Sequence, residues 1–187
     1  MQKNALRTTM LSKRNALTHK ECMKLDDLLL IQFQRLNWSN TYSIGSFLPM
    51  AKKNEPNSLL LTKYLDIIIP DLIISYPRIS ENGDHMEFYE QTDHLIENKW
   101  GIMEPAPLIK VLPNQLDTIL VPLLGFDLHG HRVGFGKGFY DKYLINCPDN
   151  INKIGISYFE PIAKIEDTQQ FDVPLTQCIT PWNIYEF

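Results

Sequence analysis

VPLLGFDLHGHRVGFGKGFYDKYL, residues 121–144, carries glycines at alternate positions, Gly134, Gly136 and Gly138, beside Arg132 and Lys137 and directly ahead of a helix-like segment. Glycines at this spacing let the backbone reach conformations closed to other residues, so that successive N–H groups turn toward one point and form an anion-binding nest. The helix that follows adds its unpaired N–H groups and the positive end of its macrodipole. Asp141 falls in the first helical turn, where a bare carboxylate would repel phosphate. A divalent cation between the two resolves the conflict, and magnesium, which prefers oxygen donors, is the natural candidate. The stretch is not a P-loop, because no G-K-[ST] closes it, and its glycines are one residue too tight for the dinucleotide fingerprint.

Working outward, the strand-like TILVPLL at 118–124 leads into the loop, and Asp127 opens it. The first 36 residues read as helix, with Thr18 and Glu21 at capping-box spacing and Cys22, Leu25, Leu28, Leu29, Phe33 and Leu36 recurring behind them. A strand over Thr41 to Leu48, a polar loop AKKNEPN, a helix SLLLTKYLDII and a second strand LIISYP follow. Strands alternating with helices predict β-α-β units. The expected fold is a three-layer α/β/α open, mostly parallel, Rossmann-like sheet in one domain, residues 1–187. A small inserted hairpin is expected over Ile79 to Glu90, turning at Asn82-Gly83. The proline-rich Trp100 to Leu116 reads as a long ordered surface loop, and KIGISY and QCIT as the last strands. In open parallel sheets ligands collect at the carboxyl ends of strands, here Leu48 to Pro49, Pro77 to Arg78 and Leu124 to Asp127.

A net charge of −4 gives no basic footprint for nucleic acid, so anionic ligands must be met by local clusters. Cys22, Cys147 and Cys178 are odd in number and far apart, which indicates neither a disulfide framework nor a zinc site. The basic amino terminus lacks the apolar core of a signal peptide, and Pro70 and Pro122 interrupt the apolar runs well short of a membrane span. A cytoplasmic protein is expected. His129 and His131 form H-x-H beside Asp127, but a third nitrogen or sulfur ligand is missing nearby and the flanking glycines suit a turn. Tyr76, Trp100 and Tyr140 could stack on a flat ring, although aromatics of this kind commonly serve as core. Lys3, Arg7 and Arg14 share one amino-terminal helix, and a run of this kind is usually a solvated face.

Pro122, Phe126, Asp127, Gly130, Arg132, Val133, the three alternate glycines, Phe139, Tyr140, Asp141 and Leu144 fill every fixed position of P-x-x-x-F-D-x-x-G-x-R-[LV]-G-x-G-x-G-[FY]-Y-D-x-x-L. In this the chain resembles the 5-formyltetrahydrofolate cyclo-ligases, also called 5,10-methenyltetrahydrofolate synthetases. KNALR at 3–7, FLPM at 47–50, WGIMEP at 100–105 and FDVPLTQCITP at 171–181 extend the likeness over nearly the whole chain. The resemblance implies ATP-dependent conversion of 5-formyltetrahydrofolate, with or without a polyglutamate tail, to the 5,10-methenyl compound with release of ADP and phosphate; a monomer that acts on neither nucleic acid nor membrane is expected. It implies that Lys3, Asn4, Ala5, Leu6 and Arg7 hold ATP together with Arg132, Val133, Gly134, Phe135, Gly136, Lys137, Gly138, Phe139 and Tyr140. Arg7, Leu48, Phe135, Gly136, Lys137, Gly138 and Phe139 then border the folate, Asp141 and Asp172 hold magnesium, and Arg132, Lys137 and Asp141 carry the catalysis.

One loop departs from the family. Relatives place a glutamate about five residues after the leucine of FL-x-[MF], where a gap-free count finds Lys53, with Glu55 two residues on. An ammonium has only donors and cannot replace a carboxylate acceptor. The AKKNEPN loop is therefore expected to be repositioned, with Pro56 fixing its exit and Glu55 supplying the carboxylate, while Lys52 or Lys53 attracts the glutamate tail. The competing readings are a sugar-phosphate isomerase or small-molecule kinase on a similar sheet, and a non-catalytic nucleotide or folate binder.

Overall fold

The computed structural model describes residues 1–99, 103–107 and 109–187; Trp100 and the start of WGIMEP lie outside the described residues. In chain order the elements are α1 (Lys3–Asn15), α2 (His19–Phe33), β1 (Ser43–Gly45), α3 (Ser58–Ile68), β2 (Ile73–Ile79), β3 (Met86–Glu90), β4 (Leu95–Glu97), β5 (Met103–Pro105), β6 (Lys110–Val111), β7 (Thr118–Pro122), β8 (Gly125–Phe126), β9 (Arg132–Val133), α4 (Phe139–Leu144), β10 (Asn152–Ile156), β11 (Gln177–Ile179) and β12 (Ile184–Glu186). Single turns of 3-10 helix occupy Ala51–Lys53 and Pro113–Gln115.

The amino-terminal helical region divides at Ala16–Thr18 because Thr18 caps α2. Its hydroxyl accepts from the Glu21 N–H at 3.3 Å, and Glu21 Oε2 accepts from the Thr18 N–H at 2.8 Å, which is the reciprocal capping box. Asn57 caps α3, whose bounds are those of the predicted SLLLTKYLDII.

The main sheet has eight strands in the order β12-β11-β10-β7-β1-β2-β3-β6. The five strands β11, β10, β7, β1 and β2 are mutually parallel, whereas β12, β3 and β6 join antiparallel. The architecture is the expected α/β one, and its antiparallel edges are no separate layer but continue the parallel centre. The hairpin is likewise not an insertion: β2 runs on through Pro77 and Arg78 to Ile79, turns, and returns as β3, so both arms extend the main sheet. Nor is Trp100 to Leu116 a plain loop. Its described residues supply β5, β6 and a 3-10 turn, and Glu104, Val111 and Leu116 are buried, so its prolines punctuate short strands.

Strand β7 is buried on both faces, as a central parallel strand must be. Leu120 points with Ile44, Ile154 and Ile179 into a core closed by Leu29 and Phe33 of α2 and by Leu61 and Leu65 of α3. Ile119 and Val121 point the other way, toward Phe88, Phe126 and the Tyr143 and Leu144 side chains of α4. Helix α1 seats Leu6 and Met10 on Leu124, Val133 and Ile165.

Asp127 is fully buried where β8 leaves the sheet. Its Oδ1 accepts from the backbone N–H groups of His129 (2.9 Å) and His131 (3.0 Å), and its Oδ2 from that of Ile165 (2.8 Å). The two histidines of H-x-H thus serve the turn with their backbones, and among the described residues no cluster of three or more His, Cys, Asp or Glu side chains could hold a metal ion. Gly130 completes the turn at φ +80°, where a Cβ would lie 2.9 Å from the Phe187 ring.

Replacing Asp127 would leave three N–H groups without their acceptor, that of Ile165 in a buried position. Asp127→Ala is expected to lower the unfolding free energy by about 3 kcal/mol, read from the urea midpoint, with Asp127→Asn intermediate because the amide keeps one acceptor.

Candidate functional site

A cleft of about 520 Å³ opens at the carboxyl ends of β1, β2 and β7. Leu48, Pro77, Pro122 and Leu123 form the sheet side, and the whole segment from Arg132 to Asp141 forms the opposite lip. Helix α1 contributes Lys3 and Arg7, and the turn before β11 contributes Phe171 and Asp172. Lys3, Arg7, Lys53, Arg132 and Lys137 line it with Glu55, Glu104, Asp141 and Asp172, so the cleft carries an excess of one positive charge in a chain of net charge −4.

The glycine loop is folded against Arg7. The Arg7 Nε–H donates to the Gly134 carbonyl at 2.8 Å, and its Nη1 donates to Asn4 Oδ1. Gly136 sits at φ +92° with a built Cβ only 3.3 Å from the Arg7 guanidinium, and Gly138 caps α4 at φ +69°. Two of the three glycines therefore need a conformation that other residues avoid. Gly134 does not; space around it is open because its carbonyl is the part that is held.

Arg132 finds its acidic partner nine residues along the chain. The left-handed turn at Gly138 brings Asp141 back over it, and Arg132 Nη2 pairs with Asp141 Oδ1 at 2.9 Å while Nη1 donates to the Val173 carbonyl. The Val173 N–H also donates to Asp141 Oδ1, at 3.1 Å. Burial pulls the Arg132 guanidinium below its ordinary value, against the opposing charges of Asp141 and Asp172. Asp172 Oδ2 pairs with Lys3 Nζ at 2.5 Å and accepts from the Gln169 N–H, so this residue both caps its turn and faces the cleft.

Asp141 Oδ2 and Asp172 Oδ1 accept no hydrogen bond among the described residues. Two carboxylates on one cleft, each with an uncommitted oxygen, suit a hard divalent cation such as magnesium.

Glu55 reaches the cleft, as does Lys53 but not Lys52. Tyr140 lines it too; burial pushes its hydroxyl far above the ordinary phenol range, with the Glu55 charge adding to the effect, and the group stays protonated. Asn4, Ala5 and Leu6 do not line the cleft: Asn4 and Ala5 face solvent and Leu6 is core, since only every third or fourth residue of α1 can face one side. Tyr76 is core as well, its hydroxyl 3.1 Å from Thr62 Oγ1. Sequence reading missed Ile79, Met103 and Glu104 of the far wall and Phe171 at the rim. Glu104 is the most telling of these, a buried acid whose Oε1 accepts from the Ile79 N–H at 2.9 Å. Its place in the proline-rich segment gave no periodic signal.

The sequence profile of the 5-formyltetrahydrofolate cyclo-ligase family matches residues 1–181. The chain is 31% identical to the 5-formyltetrahydrofolate cyclo-ligase of Mycoplasma genitalium over 95% of its own length and 98% of that protein's, and 30% identical to that of Mus musculus over 78% and 74%. Among solved structures it is similar to a 5,10-methenyltetrahydrofolate synthetase from Mycoplasma pneumoniae, with a TM-score of 0.76 at 31% identity covering 96% of this chain and 98% of that one. It is also similar to the Aquifex aeolicus 5,10-methenyltetrahydrofolate synthetase, with a TM-score of 0.82 at 27% identity covering 100% and 93%.

The Arg132–Asp141 pair should behave asymmetrically. Arg132→Met leaves a largely buried carboxylate without its cation and is expected to cost about 2–3 kcal/mol of stability. Asp141→Asn still accepts from Arg132 and Val173 and is expected to cost under about 1 kcal/mol. Urea denaturation of the two variants measures the difference.

Proposed function

This chain belongs to the 5-formyltetrahydrofolate cyclo-ligase family and closes 5-formyltetrahydrofolate to 5,10-methenyltetrahydrofolate with ATP; we propose that it does so in this cleft through a phosphorylated formyl group. A formamide oxygen is a poor leaving group. Attack of that oxygen on the γ-phosphorus forms the C–O–P linkage and releases ADP. The 10-nitrogen of the folate then attacks the formyl carbon and loses its proton, and the C–O bond breaks to expel phosphate. Phosphoryl transfer is mainly positioning and charge neutralisation, which suits a nest of N–H groups flanked by cations.

The observation that carries the reading is the meeting, in one cleft, of the Arg132 to Asp141 lip with the Leu48 and Glu55 wall. In this reading Lys3, Arg7 and the glycine loop grip the triphosphate, and Arg132 and Lys137 offset the charge of the transferring group. Leu48, Phe135, Phe139 and Glu55 border the folate, and Lys53 attracts its glutamate tail. Asp141 and Asp172 would hold magnesium, whose charge offsets that of the phosphates. Three unpaired thiols fit a reducing cytoplasm, and a monomer is taken as the working unit. Among the described residues no helix is long and apolar enough to cross a membrane.

Incubating the protein with ATP, magnesium and 5-formyltetrahydrofolate and following the absorbance of the methenyl product tests the activity directly. Asp141→Asn is expected to keep the fold and lose most turnover at ordinary magnesium concentrations; a parental rate and magnesium dependence would remove it as the metal ligand. Arg132→Ala is expected to lower kcat far more than Lys137→Ala, because a guanidinium grips phosphate oxygens through two parallel bonds and an ammonium acts as a point charge. Equal small losses would take both out of the mechanism.

A further inference from the structure

Arg14, in the last turn of α1, does not line the cleft but lies directly behind it, 2% exposed. Its Nη1 donates to the Leu123 carbonyl at 3.2 Å, and its Nη2 stands 3.7 Å from Glu55 Oε1. Its guanidinium carbon lies 5.4 Å from the centroid of the Phe135 ring, in the glycine loop. Nε and Nη2 have no hydrogen-bond partner among the described residues. Glu55 is equally enclosed, with Oε2 accepting from the Met50 N–H at 2.9 Å. Asn54, at φ +48°, fastens the same loop to the helix by donating from Nδ2 to the Arg14 and Leu17 carbonyls, both at 3.0 Å. One helix end thus supports the folate wall through Glu55 and the nucleotide lip through Phe135.

We propose that Arg14 is a positioning residue for the folate: it holds the Glu55 carboxylate charged and aimed into the cleft without touching substrate itself. The inference rests on the reading of Glu55 as the acid that meets the pterin. A carboxylate can accept two adjacent N–H groups of a pterin, whereas the protonated acid turns one of its oxygens into a donor. Burial pushes the Glu55 carboxyl up, and the Arg14 charge pulls against it. The titratable groups facing this pair are Cys22 from α2, Tyr140 from α4 and Tyr158 after β10, whose hydroxyl donates in turn to Asp26 Oδ1 of α2 at 2.7 Å. Burial holds both tyrosines and the Cys22 thiol protonated, so that of these neighbours it is Asp26, also raised by burial, that titrates on the acid side.

Steady-state kinetics for 5-formyltetrahydrofolate across the mildly acidic to neutral range distinguish this role from a purely structural ion pair. Glu55→Gln should raise the folate KM and abolish the acid limb of kcat/KM, which also separates Glu55 from Asp26. Arg14→Gln, which keeps a donor to Leu123 but no charge, should raise the folate KM about tenfold at neutral pH. It should also move the acid limb up by about 1–3 pH units. Arg14→Lys should return the limb toward its parental place, and Arg14→Gln added to Glu55→Gln should change the folate KM no further. An acid limb unmoved in Arg14→Gln, or full additivity in the double variant, overturns the positioning role while leaving Glu55 as the folate contact. An unchanged folate KM in Glu55→Gln overturns the Glu55 reading and the role of Arg14 with it. Arg14→Met offers the same neutral substitution by an apolar isostere if the glutamine variant does not fold, and the same outcomes decide.

Discussion

A single buried carboxylate organises the exit from the central strand. Asp127 gathers three backbone N–H groups, two from its own turn and one from Ile165. This fixes where β9 begins, and β9 starts with Arg132, so the glycine loop inherits its position from a charge that never meets solvent. Without that anchor the entry to the segment from Arg132 to Asp141 would rest on the two-residue β8–β9 ladder, with the Arg7, Arg14 and Val173 contacts acting only farther along the loop. An ionised group buried this fully is tolerable because hydrogen bonds replace its hydration.

The same logic repeats down the cleft in weaker form. Arg132 with Asp141, Lys3 with Asp172 and Arg14 with Glu55 each hold opposite charges close together at or just behind the lining. Such pairs are poor contributors to stability, since desolvation takes back much of their attraction. They are well suited to a site that must accept a highly anionic ligand, because cations already desolvated and fixed need little reorganisation when it arrives.

What the sequence disclosed and what it withheld follow a physical division. The capping box at Thr18, the helix 58–68 and the turn at Asp127 to Gly130 are local, decided within a few residues by spacing and by side-chain bonds to the backbone. The two-residue β6 has too little length to display a period, and its existence depends on pairing with Phe88 and Tyr89, some twenty residues earlier. The pairing of Arg132 with Asp141 was not legible because the left-handed backbone at Gly138 is what folds one over the other. Leu6 was grouped with its neighbours as a contiguous motif, yet helical geometry sends it to the core while Lys3 and Arg7 reach the cleft. Glu55 was singled out because relatives carry a glutamate near this place in the chain and Lys53, with donors only, cannot stand in for it. Arg14 behind it was not, because a cation in a basic helix carries no mark of burial.

The order of the main sheet also bears on how the protein behaves in a crowded solution. An open sheet of eight strands has two rims where unpaired N–H and C=O groups could template a neighbour's chain. Here the rims are β6, two residues long with an exposed lysine, and β12, three residues long and ending in a glutamate. The long, apolar, aggregation-prone strands lie inside, and the rims are too short and too charged to recruit a ninth strand. The antiparallel additions that depart from a parallel doubly wound sheet therefore act as end-stops, and help to keep copies of the chain from polymerising edge to edge.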